Sequence, residues 1–267
     1  MSFAVAADAY DRFMGRYSGP LTAQFADFAG VSPGQRVLDV GCGPGALTSE
    51  MIARVGAPGV SAVDPSESFV AAARERHPGV DVRPAPAERL PFGDGVFDAC
   101  LAQLVVHFMA DPVGGLGEMA RVTRPGGVVA ACVWDHAGGG GPLSGFWAVV
   151  RRRDPDVDGE STLPGSRRGH LTELLGEAGL AHVEERPLTV EVVHPDFEEW
   201  WEPFTLGVGP AGGYVAGLDA SGRDELRDAC RAALPPAPFT ISGTAWAARG
   251  RAERGTVGLR SSRREGA

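Results

Sequence analysis

The sequence has no lysine: all 25 of its basic side chains are arginine. That absence removes any Schiff-base lysine, any Walker-type phosphate-loop lysine and any Tyr-x-x-x-Lys pair for hydride chemistry. Cysteine is scarce too. Cys42, Cys100, Cys132 and Cys230 form no CxxC pair and have no histidine at a metal-ligand spacing, which argues against a disulfide framework and a bound metal. Cys100 and Cys132 stand in apolar runs and read as small buried hydrophobes. No apolar run approaches the roughly 18 residues that span a bilayer. The start, MSFAVAADAYDRFMGRYS, lacks the basic region and long apolar stretch of a signal peptide, so a cytoplasmic protein with no membrane partner is expected. Positive charge is also short. A net charge of −9 and a pI near 5.2 argue against nucleic acid as substrate.

What remains is a chain of 267 residues, 43 % hydrophobic, long enough for a large core. Short apolar runs alternate with helical patterns. RVLDV, VSAVD, VDVRPA, FDACLAQLV and VVAACVW read as strands; the segments between them carry helical spacing and end at glycines, or at Pro125-Gly126-Gly127. Five such alternations predict a parallel, doubly wound α/β sheet with helices on both faces. Ligands of such sheets sit at the carboxyl ends of the strands, near the reversal of strand order. The second half is less regular: helices over FWAVVRRR, HLTELLGEAGL and SGRDELRDACRAAL, and strands over HVEERPLTVEVV and PFTISGTAWAARGR.

The densest chemistry lies in VLDVGCGPGALT, Val37 to Thr48. Glycines between a strand and a helix let a ligand approach the backbone and the helix N-terminus. Gly41-x-Gly43-x-x-Ala46 fits the dinucleotide pattern, whereas Asp39-x-Gly41-x-Gly43-x-Gly45 fits a cofactor loop for S-adenosylmethionine (SAM). A carboxylate at Asp39 would repel a pyrophosphate but suit a sulfonium and an ammonium. Asp64, at the end of the next strand, can accept both hydroxyls of a ribose in either reading.

Together, VLDVGCGPG, VSAVDPSESFVAAAR, APAERLPFGDGVFD and EMARVTRPGG resemble the small-molecule (type 11) group of class I SAM-dependent methyltransferases, over about half of the chain. The resemblance implies a Rossmann-like seven-stranded sheet whose last strand is antiparallel, and SAM as methyl donor. It implies that Asp39, Gly41, Cys42, Gly43 and Gly45 hold the methionine part, that Asp64 takes the ribose with Pro65 and Ser66 beside the adenine, and that Ala87 and Glu88 lie along the adenine edge. Gln103 would sit near the methyl group, and Tyr10 or Arg16 would meet the SAM carboxylate. One domain over 1–267 is expected, with cofactor-covering helices in 1–30, a SAM-binding core in 36–135, a substrate lid in 195–220 and a disordered tail in 260–267.

His107 and His136 follow the fourth and fifth strands and are the candidate bases; each could equally cap or pack. Trp134 beside them would stack on substrate or fill core. The cluster Phe197, Trp200, Trp201, Phe204 and Tyr214 is expected partly to line an apolar acceptor pocket and partly to pack its own insertion. The runs Arg151 to Arg153 and Arg167-Arg168 read as solvated faces. No Asn/Asp-Pro-Pro-Tyr/Phe motif follows strand four, where LAQLVVHF stands, which lowers amino-group methylation in nucleic acids and proteins. The expected activity is methyl transfer by in-line displacement to a small apolar or aromatic acceptor. The alternatives are a SAM-binding protein of the same fold that transfers no methyl and, remotely, a nicotinamide-dependent oxidoreductase.

Overall fold

The computed structural model describes residues 7–157 and 159–253. Seven strands form one sheet: β1 Val37–Val40, β2 Val60–Asp64, β3 Asp81–Pro84, β4 Phe97–Gln103, β5 Thr123–Trp134, β6 Ala181–His194 and β7 Phe239–Arg251, in the order β3-β2-β1-β4-β5-β7-β6. Strands β1 to β5 pair in parallel, and β7 runs antiparallel between β5 and β6. The seven-stranded Rossmann-like sheet with a reversed last strand is thus present. Its order turns back between β1 and β4, which places the ligand crevice at their carboxyl ends.

Among the described residues, ten α-helices surround the sheet: α1 Ala7–Tyr10, α2 Arg16–Ala29, α3 Ala46–Val55, α4 Glu67–Arg76, α5 Pro112–Val122, α6 Ser144–Arg153, α7 His170–Glu177, α8 Phe197–Trp201, α9 Gly209–Gly217 and α10 Ala220–Ala233. Their starts follow local chemistry. Asp111, Asp196 and Asp219 cap α5, α8 and α10 by accepting the amides of Gly114, Glu199 and Gly222. Helix α2 continues directly from a π-helical turn over Asp11–Gly15.

The two-residue period of a strand sorts side chains between the faces. Val37, Ala62, Leu101, Ala130 and Cys132 pack with α2 and α3, while Leu38, Val40, Cys100, Ala131 and Val133 pack with α5 and α7. Asp39 and Gln103 share the period of Val37 and Leu101, so they fall on the α2–α3 face. The RPGG segment does not simply separate helix from strand. It forms an irregularity within β5, whose pairing jumps from Thr123↔Phe97 to Val128↔Ala99. A third cluster joins α6, α8 and α10 to Phe13 of the N-terminal segment. The expected tail at 260–267 lies outside the described residues.

Candidate active site

Three glycines turn the chain after β1, each at positive φ, and they do different work. A Cβ on Gly41 would stand 2.5 Å from Val105 Cγ2, and one on Gly45 would stand 2.8 Å from His77 Nε2. Those two glycines are demanded by neighbours within the fold. Gly43 (φ +53°) has nothing within 4 Å of its missing Cβ, so it is the glycine that opens the backbone to a ligand. The amides of Gly41 and Cys42 both donate to Val63 O, at 2.8 and 2.9 Å, which ties the loop to β2. Burial raises the Cys42 thiol well above its ordinary value, so it is a neutral packing group there.

Asp64 ends β2 against this loop. One carboxylate oxygen accepts the Gly43 amide at 2.9 Å and the other the Ser66 amide at 2.8 Å. The side chain is 6 % exposed, and burial raises its pKa. Each oxygen keeps a second lone pair for a hydroxyl. Pro65 is exposed and Ser66 half-buried at the same turn. Ser66 occupies the cap position of α4, but its hydroxyl pairs with Ser68 at 2.9 Å instead of capping.

Asp39 lies beneath the loop. It is 1 % exposed, and it accepts the Thr48 hydroxyl at 2.6 Å. Burial pushes its carboxyl up to about 7, against the Thr48 bond that lowers it. The strand period explains the placement: Asp39 faces α3, and its bond to Thr48 fastens that helix to β1. Its side-chain hydrogen-bond partner among the described residues is Thr48.

Other expected cofactor contacts divide. Tyr10 reaches the site: its ring packs edge-on to Phe69 with centroids 5.8 Å apart. Burial, then Asp11 and Asp64, raise its phenol to about 12. Gln103 donates to Ser18 O at 3.1 Å, while its Oε1 is buried with no hydrogen-bond partner among the described residues. Ala87 is buried beside Gly115. Glu88 accepts the Ala110 and Asp111 amides at 2.9 and 3.2 Å, which pins the start of α5. Arg16 turns elsewhere. Its guanidinium meets Glu199 Oε1 at 2.5 Å and His194 Nδ1 at 3.2 Å, between α2 and α8, so it does not point at the glycine loop. Arg76, unremarked in the sequence, bridges the loop and the N-terminal segment, bonding Pro44 O at 2.9 Å and Asp11 at 2.8 Å.

Next to this loop lies a cavity of ≈ 260 Å³ at the ends of β4 and β5. Its floor is Leu104 and Trp134, its roof the 207–213 segment, and its flank Tyr10, Phe13 and Met14. Leu104 holds a left-handed φ of +62°, an uncommon conformation for a branched residue. Both candidate histidines line the cavity. Their rings are 6.1 Å apart, and His107 Nδ1 and His136 Nε2 are buried without a partner. Burial, then the neighbouring His136, pushes His107 down to about 3; burial lowers His136, opposed by Glu160 and Asp135. Glu160, which sequence reasoning missed, is buried at the same cavity. It accepts the Trp147 indole N–H at 2.8 Å and stands 4.0 Å from His136 Nε2.

The aromatic cluster at 197–214 needs correction. None of its five members lines this cavity. Phe197, Trp200, Trp201 and Phe204 pack with Phe13, Phe146 and Trp147 in the third core, and Tyr214 packs against Phe146 and Trp147. The insertion contributes its small-residue stretch, Gly207 to Gly213, to the cavity instead. The Arg151 to Arg153 run is exposed, as expected for a solvated face.

A reversed last strand, a glycine turn after β1 and an acid closing β2 define the class I fold of SAM-dependent methyltransferases. Residues 38–131 match the methyltransferase domain family. The chain is 36 % identical over 130 residues to the malonyl-[acyl-carrier protein] O-methyltransferase of Erwinia billingiae, covering 48 % of this chain and 50 % of that one. It is 33 % identical over 147 residues to the demethylmenaquinone methyltransferase of Renibacterium salmoninarum, covering 55 % and 61 %. The chain thus spans about half the length of these two curated relatives. An uncharacterised Mycobacterium bovis protein matches over more, 32 % identical across 69 % of this chain and 70 % of its own. Among solved structures, a Haemonchus contortus phosphoethanolamine N-methyltransferase bound to S-adenosylhomocysteine superposes with a TM-score of 0.56 at 18 % identity, over 92 % of this chain and 57 % of that one. The [4+2]-cyclase SpnF superposes at 0.55 and 22 %, over 88 % and 82 %. The chain belongs to the class I methyltransferase family, and SAM is its cofactor. The open Gly43 backbone, the spare lone pairs of Asp64 and the unpartnered Gln103 Oε1 fit that group.

Proposed function

We propose that the protein methylates a small molecule bound in the cavity beside the glycine loop. The observation that carries this reading is the cavity itself: apolar walls at the ends of β4 and β5, with His107, His136 and Glu160 as polar groups in one lining. The reaction is an in-line displacement at a methyl carbon. SAM, when bound, supplies an electrophilic methyl group on a sulfur that leaves as a neutral thioether, so no acid is needed at the leaving group.

The protein's own residues position, dry and deprotonate. Gly43 and Asp64 hold the cofactor, with Tyr10 and Phe69 between the loop and the cavity. Phe13, Leu104, Leu143 and Val208 keep water away from the acceptor, where displacement gains from exclusion and alignment. His136 Nε2 takes the acceptor's proton, and Glu160 at 4.0 Å steadies the imidazolium that results. His107 is pushed too low to hold a proton near neutrality; its role is to accept a hydrogen bond and orient the acceptor.

The test is release of S-adenosylhomocysteine from SAM across a panel of small acceptors, with His136→Gln as the diagnostic variant. Loss of a general base lowers kcat by roughly 10²–10³-fold, while SAM affinity stays within about twofold of wild type, since His136 lies outside the glycine loop. Unchanged turnover in the variant contradicts the assignment. Tight SAM binding with no S-adenosylhomocysteine from any acceptor favours the alternative, a non-transferring protein of the same fold.

A further inference from the structure

The cavity holds a buried acid with few partners. Glu160 is 5 % exposed, and its partners among the described residues are the Trp147 N–H and, at 4.0 Å, His136. No arginine among the described residues forms an ion pair with it or lines the cavity. The two histidines do not supply the missing cation, because burial holds both below their ordinary value. They contribute nitrogen atoms instead, His136 Nε2 and His107 Nδ1, neither of which has a hydrogen-bond partner among the described residues. A buried carboxylate is costly unless a cation or several donors meet it. Around this acceptor-rich corner, Tyr10, Phe13 and Trp134 line the cavity, and aromatic rings attract cations.

Resting on the methyltransferase reading above, we infer that the acceptor is an amine with a compact apolar body, bound as its ammonium ion between Glu160 Oε1 and His136 Nε2. An anionic acceptor meets no cation in this lining. A neutral hydroxyl satisfies one oxygen of Glu160 but leaves its charge unmatched. For reaction, the ammonium N–H proton passes to His136 Nε2, giving an imidazolium beside Glu160. The freed nitrogen lone pair forms the new N–C bond as the carbon–sulfur bond breaks and leaves its electron pair on sulfur.

The experiment is calorimetric titration of the full chain, saturated with S-adenosylhomocysteine, with phenethylamine and with its neutral counterpart 2-phenylethanol at pH 7. The wild type is expected to bind the amine at least tenfold more tightly, since hydrogen bonds to charged groups are the stronger ones. In Glu160→Gln that preference falls to within about twofold, while S-adenosylhomocysteine binds the variant as it binds the wild type. Equal binding of amine and alcohol by the wild type overturns the inference, and this comparison stands even if the variant does not fold. A preference that survives Glu160→Gln also overturns it, as does failure of both compounds to bind a chain that holds S-adenosylhomocysteine. Failure of S-adenosylhomocysteine itself to bind the wild type removes the methyltransferase reading, and this inference with it.

Discussion

Asp64 and Asp39 show how two acids of one motif divide their labour. Asp64 closes β2 with both oxygens on backbone amides, holding Gly43 where a ligand meets it. Asp64→Ala removes that anchor and the proposed ribose acceptor together. Two charge-assisted bonds of about 1.5 kcal/mol or more each predict a loss of SAM affinity of roughly 100-fold by calorimetry; unchanged affinity contradicts the site. Asp39 works from beneath, and its carboxyl, at about 7 in the folded chain, lies far above an ordinary aspartate. The folded state therefore binds more protons than the unfolded one between about pH 4 and pH 7, and stability is lost as pH rises through that window. His107, His136 and His194 are shifted the other way and lose stability as pH falls below about 6.5. The variant difference isolates Asp39. Asp39→Asn keeps an oxygen for Thr48, so its melting temperature relative to wild type is expected to be several degrees higher at pH 8 than at pH 5. A difference that does not change with pH contradicts the buried acid. Both acids were legible in the sequence, since local spacing around the glycines sets their positions. Glu160 was not: it sits in a polar stretch with no periodicity, and only tertiary folding brings it to His136.

Among the elements, β1 to β5 and their helices were readable from apolar runs and glycine stops, because each run is buried on both faces or along one stripe. The cover over the cavity was less so. The sequence marks aromatics there, yet aromatics are what an insertion needs for a core of its own, and the cavity roof falls to the glycines and alanine of 207–213. What joins this cover to the N-terminal segment is a buried network spread over distant residues. Tyr17 on α2 bonds His194 Nε2 at 2.9 Å, and His194 Nδ1 bonds Glu199 on α8 at 2.6 Å, with Arg16 beside them. Here lies the physical reason that Arg16 leaves the cofactor: Glu199 offers it a half-buried carboxylate. Tyr17→Phe strands a buried acceptor on His194, which costs about 1–3 kcal/mol. At about 2–4 °C per kcal/mol for a chain of this size, a drop in melting temperature of roughly 2–10 °C is expected by calorimetry. No change would show that the network does not hold the cover.

At the scale of the whole molecule, the sheet sets two sites side by side: the glycine turn and Asp64 at the β1 and β2 ends, and the histidine-lined cavity at the β4 and β5 ends. The reversal of strand order makes that neighbourhood. The glycine loop alone suited two cofactors; the family match resolves it to one. The most direct measurement is native mass spectrometry of the purified chain with SAM and NADH supplied in equal excess. The account predicts one SAM or S-adenosylhomocysteine per chain, lost in Asp64→Ala, and no NADH; a chain that takes up NADH, or that takes up neither nucleotide, contradicts it.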